Sequence, residues 1–130
     1  MTKKNDAREL VASLEQVRSW AMDPQNVERP PRSVVARAIR ASVKALEADA
    51  PGHSVEVRIP PFAAVQCIEG PRHTRGTPPN VVETDALTWL RLALGIVSWE
   101  DCDTEVEFSG SRAAEVSRWL PQVRQRRASS

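Results

Sequence analysis

The sequence has no tyrosine, only two cysteines and five glycines among 130 residues, and no long apolar run. No stretch approaches the roughly 20 apolar residues of a membrane span, and no apolar signal segment follows the first residues. We therefore expect a cytoplasmic protein with no integral membrane segment, in which Cys67 and Cys102 are reduced thiols. The cysteines and the two histidines, His53 and His73, lack the paired spacing of zinc sites, so no metal is expected.

The chain also has almost no net charge. It carries 18 basic and 17 acidic side chains, which gives a formal net charge of +1. Nucleic-acid binding usually requires a concentrated basic face, so no nucleic-acid partner is expected. A phosphate-binding loop, a dinucleotide glycine motif and a Ser-His-Asp order are missing as well. These absences favour a binding domain without a cofactor over an enzyme.

What is present is typical of one globular domain. Hydrophobic residues make up 41% and charged residues 27% of the chain, and 130 residues are enough for a hydrophobic core. We expect a single domain over residues 1–130, with residues 1–5 and 125–130 disordered. Apolar residues at helical spacing predict two helices within residues 7–50, which would form a hairpin over one side of a sheet.

The second half alternates strands and helices. Val55, Val57 and Ile59 alternate with charged residues, the period of a half-buried strand. Residues 62–68 are more apolar and predict a central strand, and residues 80–83 predict a third strand. Thr84 or Asp85 would cap a helix over residues 86–94, with Trp89 on its flank and Gly95 after its end.

Alternation at residues 104–108 predicts a fourth strand. It is followed by a last helix whose apolar residues, Ala113, Val116 and Leu120, would face the core.

The densest functional chemistry lies between the second and third strands, in Arg72-His73-Thr74-Arg75. Guanidinium groups bind carboxylate or phosphate in a bidentate manner, so Arg72, His73 and Arg75 are candidates for holding an anionic head group. The alternative is that they pair with nearby carboxylates and only fix the loop. The residue types alone leave both interpretations open.

Three motifs resemble the sterol-carrier-protein fold: Val81-Val82-Glu83-Thr84-Asp85, Leu92-Ala93-Leu94-Gly95 and Val106-Glu107-Phe108-Ser109-Gly110. The segment 60–85 resembles the bacterial orthologues of that family, and the likeness covers roughly residues 31–120. The strands predicted above give a small, mostly antiparallel sheet of about four strands covered by helices, where the resembling fold usually has five. The resemblance implies an α+β domain with its core in residues 54–120. It further implies an apolar cavity between sheet and helices, in which relatives bind fatty acyl chains, sterols or other lipids.

The resemblance and the residue types together predict a ligand-binding set. It comprises Phe62, Val65, Cys67, Arg72, His73, Arg75, Trp89, Leu90 and Phe108. The alternative for the apolar members is ordinary core packing. Cys67 on a buried strand behaves as a small hydrophobe, and a nucleophilic role would need a base such as His73 and a lowered pKa.

We therefore expect a non-catalytic binding or carrier domain for a lipid, fatty acid or sterol-like ligand. One alternative is a protein-interaction or dimerisation module, forming a homodimer, whose cavity is filled by its own side chains. The other is an accessory domain of a thiol-dependent isomerase or transferase.

Overall fold

The computed structural model describes residues 3–70, 80–102 and 105–123, with side chains from Asp6 onward. The elements in chain order are α1 (Lys3–Met22), α2 (Arg32–Asp49), β1 (Val55–Ile59), β2 (Ala63–Cys67), β3 (Asn80–Glu83), α3 (Ala86–Ala93), a 3-10 segment η1 (Trp99–Cys102), β4 (Glu107–Ser109) and a second 3-10 segment η2 (Ala113–Trp119). The predicted α+β class with four strands is confirmed. Within the described ranges, no helix has the length and apolar character needed to cross a membrane.

The four strands form one sheet in the order β2-β1-β3-β4. β1 pairs antiparallel with β2 and parallel with β3, and β3 pairs antiparallel with β4. The prediction that residues 62–68 form a central strand is wrong, because β2 lies at an edge. The apolar character of β2 comes partly from small alanines, and Ala64 and Gln66 are exposed. The central strand is β1, whose Val55, Val57 and Ile59 are all fully buried.

One face of the sheet is apolar and the other is polar. Cross-strand partners share a face, so Val57 and Val82, which are opposite each other, both lie on the core side. Glu56 and Arg58 lie on the other face, where they form an ion pair at 2.5 Å. The burial alternation of β1 therefore determines which side the helices cover.

The helices pack through the apolar stripes that their sequence spacing predicts. α2 contacts β2 and buries Val35, Ile39 and Leu46 completely, whereas α1 packs against α2 and α3. α1 begins at Lys3, before the predicted start, and ends at Met22, ahead of Pro24. The last predicted helix is the 3-10 segment η2, in which Ala113 and Val116 are buried as expected.

Local signals fix α3 at both ends. The Asp85 side chain accepts a hydrogen bond from the Thr88 backbone N–H at 3.2 Å, and the Thr88 hydroxyl donates to Asp85 at 2.6 Å. This satisfies one of the free N–H groups of the first turn. At the other end Gly95 adopts a φ of 74°, the left-handed conformation that favours glycine. The predicted cap and stop of this helix are confirmed.

Candidate functional site

The predicted head-group residues Arg72, His73 and Arg75 lie outside the described residues, which resume at Asn80. The structure does describe both ends of the segment that carries them. Val55, the first residue of β1, pairs with Cys67 at the end of β2 and with Asn80 at the start of β3. The segment therefore leaves and re-enters the sheet at the same end, on either side of β1.

A buried polar network ties these two ends together. The Ser54 hydroxyl donates to the Ile68 carbonyl at 2.7 Å, and the Asn80 side-chain amide donates to the Ser54 carbonyl at 2.8 Å. Asn80 in turn accepts from the Arg112 backbone N–H at 3.0 Å. Ser54 and Asn80 are 2% and 5% exposed, so these bonds are shielded from water. The network fixes the described residues on either side of that segment, and we call it the polar base.

Arg112 adds a charged group to this base. Its guanidinium forms two hydrogen bonds to Glu115, at 3.0 and 3.1 Å, and this contact raises the pKa of Arg112 and lowers the pKa of Glu115. A Cβ added at Gly70 would lie 1.9 Å from a terminal nitrogen of Arg112. The missing side chain of Gly70 therefore makes room for the guanidinium.

A groove of about 390 Å³ runs between α2 and the edge strand β2, near the same end of the sheet. Its apolar lining is Val43, Ala64 and Val65, and its polar lining is Lys44, Glu47, His53 and Gln66. His53 Nδ1 donates to Gln66 Oε1 at 2.8 Å, which joins the turn ahead of β1 to β2. The groove thus combines an apolar floor with two basic side chains on its rim.

The described members of the predicted set do not line one space. Val65 lines the α2–β2 groove, and Phe62 is partly buried beneath the guanidinium of Arg32, 5.1 Å from the ring centre. Leu90 is fully buried in the hydrophobic core. Phe108 is 47% exposed at the opposite edge of the sheet, with Trp99 6.0 Å away between ring centroids.

Trp89 is fully buried, so its predicted position on the flank of α3 is wrong. Its indole Nε1 donates to the Ser42 hydroxyl at 2.7 Å, and that hydroxyl donates to the Ile39 carbonyl at 2.7 Å. The large ring and its hydrogen bond join α3 to α2. In this position Trp89 belongs to the packed interior between the two helices.

Cys67 is fully buried at the end of β2. Burial raises the pKa of its thiol from 9.0 to about 11, and the Glu47 carboxylate contributes to the increase. The thiolate is the nucleophilic form of cysteine, and it is therefore strongly disfavoured at neutral pH. The raised pKa fits a Cys67 that packs as a small buried hydrophobe better than it fits a Cys67 that acts as a nucleophile.

The raised pKa of Cys67 predicts a pH-dependent stability. The folded state favours the protonated thiol, so its contribution is complete below pH 9, the unfolded value, and is lost as the pH rises through 11. The loss amounts to about 3 kcal/mol in unfolding free energy. Urea unfolding of the native chain and of Cys67→Ala across this range should give curves that converge with rising pH. Parallel curves would contradict the shift.

The lack of tyrosine gives this titration a second readout. Thiolate absorbance in the ultraviolet can be followed without overlapping phenolate absorbance, because the chain has no phenol group. The Cys67 contribution, taken as the difference between the native chain and Cys67→Ala, should appear near pH 11. Its appearance near pH 9 in the folded protein would contradict the burial argument.

A second groove, of about 350 Å³, lies between α1 and α2. Its floor includes Leu10, Ala41 and Ala45, and its rim carries more acidic than basic groups. Lys44 reaches Asp6 there at 3.6 Å. Among the described side chains, no group of three or more His, Cys, Asp or Glu residues could hold a metal ion.

The predicted set contains Val65 but misses the other residues of the α2–β2 groove and those of the polar base. Gln66 and Asn80 lie in the 60–85 segment that carries the resemblance, but neither was given a role, and Lys44 and Ser54 belong to no motif. One usable signal was the alternation of β2, because Ala64 and Gln66 share the face that strand periodicity leaves exposed. The sequence suggested His53 only as a possible metal ligand.

A family profile covers most of this architecture. The profile of the family described as bacterial SCP ortholog matches residues 31–122, which contain α2, all four strands, α3 and η2. No curated protein matches the chain. α1 lies outside the matched range, whereas the α2–β2 groove lies entirely within it. The chain belongs to the bacterial SCP ortholog family.

Proposed function

We propose that the protein is a non-catalytic carrier or binding domain for a small amphipathic ligand, which lies along the α2–β2 groove. One observation carries the proposal: a groove of about 390 Å³, formed entirely by residues of the family-matched range, has an apolar floor and a polar rim that includes Lys44 and His53. A carrier role at the level of the family supports the same assignment. An aliphatic chain would lie on Val43 and Val65, and a polar head would reach the rim.

The apolar part of the ligand supplies the binding free energy. Each CH₂ group removed from water contributes about 0.8 kcal/mol, from which the cost of ordering the ligand is subtracted. Val43 is 7% exposed and Val65 is partly buried, so the floor is packed against the core and is already formed. A preformed floor reduces the ordering cost on the protein side.

The rim selects the head group. Lys44 and His53 are the basic groups of the groove, and the hydrogen bond to Gln66 fixes the His53 ring. We assign Arg72, His73 and Arg75 to the same task, since the chain connects them to the end of β2. A carboxylate or phosphate head group would satisfy the Lys44 ammonium and the guanidinium groups. Glu47 on the same rim opposes an anionic head and restricts where it can lie.

Filling the groove with a large side chain tests the proposal. Val65 lies on the groove floor, is only partly buried and belongs to an edge strand, where tryptophan is tolerated, so Val65→Trp should leave the fold intact. We expect dodecanoate to bind at least about tenfold more weakly, a loss of about 1.4 kcal/mol, as measured by titration calorimetry. The matched control is Ala48→Trp in the α1–α2 groove, for which we expect a change of less than about twofold.

The outcomes test separately whether the protein is a carrier and in which groove its ligand binds. Strong weakening by Ala48→Trp alone would place the ligand in the α1–α2 groove and contradict the site. Native mass spectrometry of the freshly purified protein gives an independent test of the role, because a carrier should retain lipid. A protein without bound lipid that also fails to bind dodecanoate would overturn the carrier proposal.

A further inference from the structure

Phe108 is a large apolar side chain that the fold leaves uncovered. It lies directly opposite Val82 in the β3–β4 pair, so both side chains lie on the core face of the sheet. Val82 is fully buried, whereas Phe108 is 47% exposed. The apolar face of the sheet therefore extends past the helices at the β4 edge.

The Phe108 ring has an aromatic neighbour but is still accessible. Trp99 on η1 lies 6.0 Å away between ring centroids, at an interplanar angle of 41°. Trp99 is itself partly exposed and also borders a small groove with Leu120 and Pro121. Tilted aromatic pairs of this kind are common in cores and interfaces. We call Trp99 and Phe108 the aromatic edge.

β4 has a free backbone edge beside this patch. In the part of the chain that the structure describes, β4 pairs with β3 alone, and Glu107, Phe108 and Ser109 are all exposed. Such an edge presents N–H and C=O groups that can pair with another strand. The other edge of the sheet differs, because α2 packs against β2 and forms the groove there.

We propose that β4 pairs with β4 of a second copy of this chain, antiparallel and centred on Phe108. Twofold symmetry then places Phe108 opposite its own counterpart, and Glu107 opposite Ser109 of the other copy. Each carboxylate therefore meets a hydroxyl and not a second carboxylate, so the only charges on β4 do not oppose each other. The β4 sequence is thus self-complementary in this register, with an apolar ring opposite an apolar ring and a hydroxyl donor opposite each carboxylate.

The pairing also covers the aromatic edge. Two Phe108 rings would meet across the symmetry axis, each with Trp99 behind it, on the face that continues the core side of the sheet. The two four-stranded sheets would form one continuous eight-stranded sheet. The interface lies at the edge away from the α2–β2 groove, so it does not depend on the carrier proposal and leaves that groove open.

A cysteine at position 108 tests the register. Both native cysteines are buried, so Phe108→Cys introduces an accessible thiol. Residues opposite each other in antiparallel strands have Cα atoms about 4.5–5.5 Å apart, within reach of a disulfide. We expect mild oxidation of the full chain at low concentration to give a covalent dimer. The matched control is Val11→Cys, at a site that is 49% exposed on α1, which should remain monomeric.

Phe108→Asp tests the association without a crosslink. It places two carboxylates opposite each other, so we expect the dimer dissociation constant in sedimentation to rise at least about tenfold. Val11→Asp, which also exposes a new charge, should leave it unchanged. A native chain that is monomeric up to millimolar concentration would overturn the proposal. So would a dimer that Phe108→Asp does not weaken, or equal crosslinking of the two cysteine variants.

Discussion

Replacing Trp89 with alanine should lower the unfolding free energy by about 4 kcal/mol. Trp89 is the largest fully buried side chain of the described core, and its truncation removes a whole indole from between α2 and α3. The loss also removes the hydrogen bond from Nε1 to Ser42. A domain of this size is stabilised by about 5–15 kcal/mol, so the variant loses a large part of its stability. Urea unfolding followed by circular dichroism measures the effect.

Two further variants distinguish the contribution of the Trp89 side-chain volume to stability from that of its hydrogen bond to Ser42. Ser42→Ala leaves the buried indole N–H without its acceptor, which should cost about 1–3 kcal/mol. Trp89→Phe keeps most of the volume, and the Ser42 hydroxyl keeps its bond to the Ile39 carbonyl, so its cost should be smaller than that of Trp89→Ala. A loss below about 1.5 kcal/mol for Trp89→Ala would show that the indole is loosely packed. That result would favour the enclosed interior cavity expected from the family resemblance.

The position of Trp89 shows where sequence reasoning reaches its limit. The Asp85 cap and the Gly95 stop of α3 could be predicted, because each depends on residues within one turn. Whether Trp89 lies inside depends on α2, whose Ser42 is 47 residues away. That contact is a product of tertiary packing, which local periodicity does not encode.

The prediction of strand order was limited in the same way. Alternation identified the buried face of β1, and the β3 boundaries Asn80–Glu83 agree with the prediction. Periodicity assigns a residue to a face but does not identify its neighbour across the sheet. The parallel pairing of β1 with β3 puts β2 at the edge, and the α2–β2 groove exists only because of that order. The candidate site was therefore beyond the reach of motif analysis.

Gly52→Ala should cost at least about 3 kcal/mol, the range of strained and overpacked positions. Gly52 has a φ of 147°, which residues with a side chain rarely adopt, and an added Cβ would lie 2.1 Å from the Ile68 carbonyl oxygen. The clash is with backbone that is held in place. The Ile68 carbonyl accepts from the Ser54 backbone N–H at 3.1 Å and from its hydroxyl at 2.7 Å.

Gly70→Ala is the matched control for this glycine. Its added Cβ would also clash, at 1.9 Å, but with the end of the Arg112 side chain, which can move. We therefore expect thermal unfolding to rank Gly52→Ala well below Gly70→Ala in stability. The turn at Gly52 leads directly into His53 on the groove rim and into Ser54, which is hydrogen-bonded to both Ile68 and Asn80. Gly52→Ala should accordingly weaken dodecanoate binding too, and a variant within about 1 kcal/mol of the native chain would contradict a rigid turn at this point.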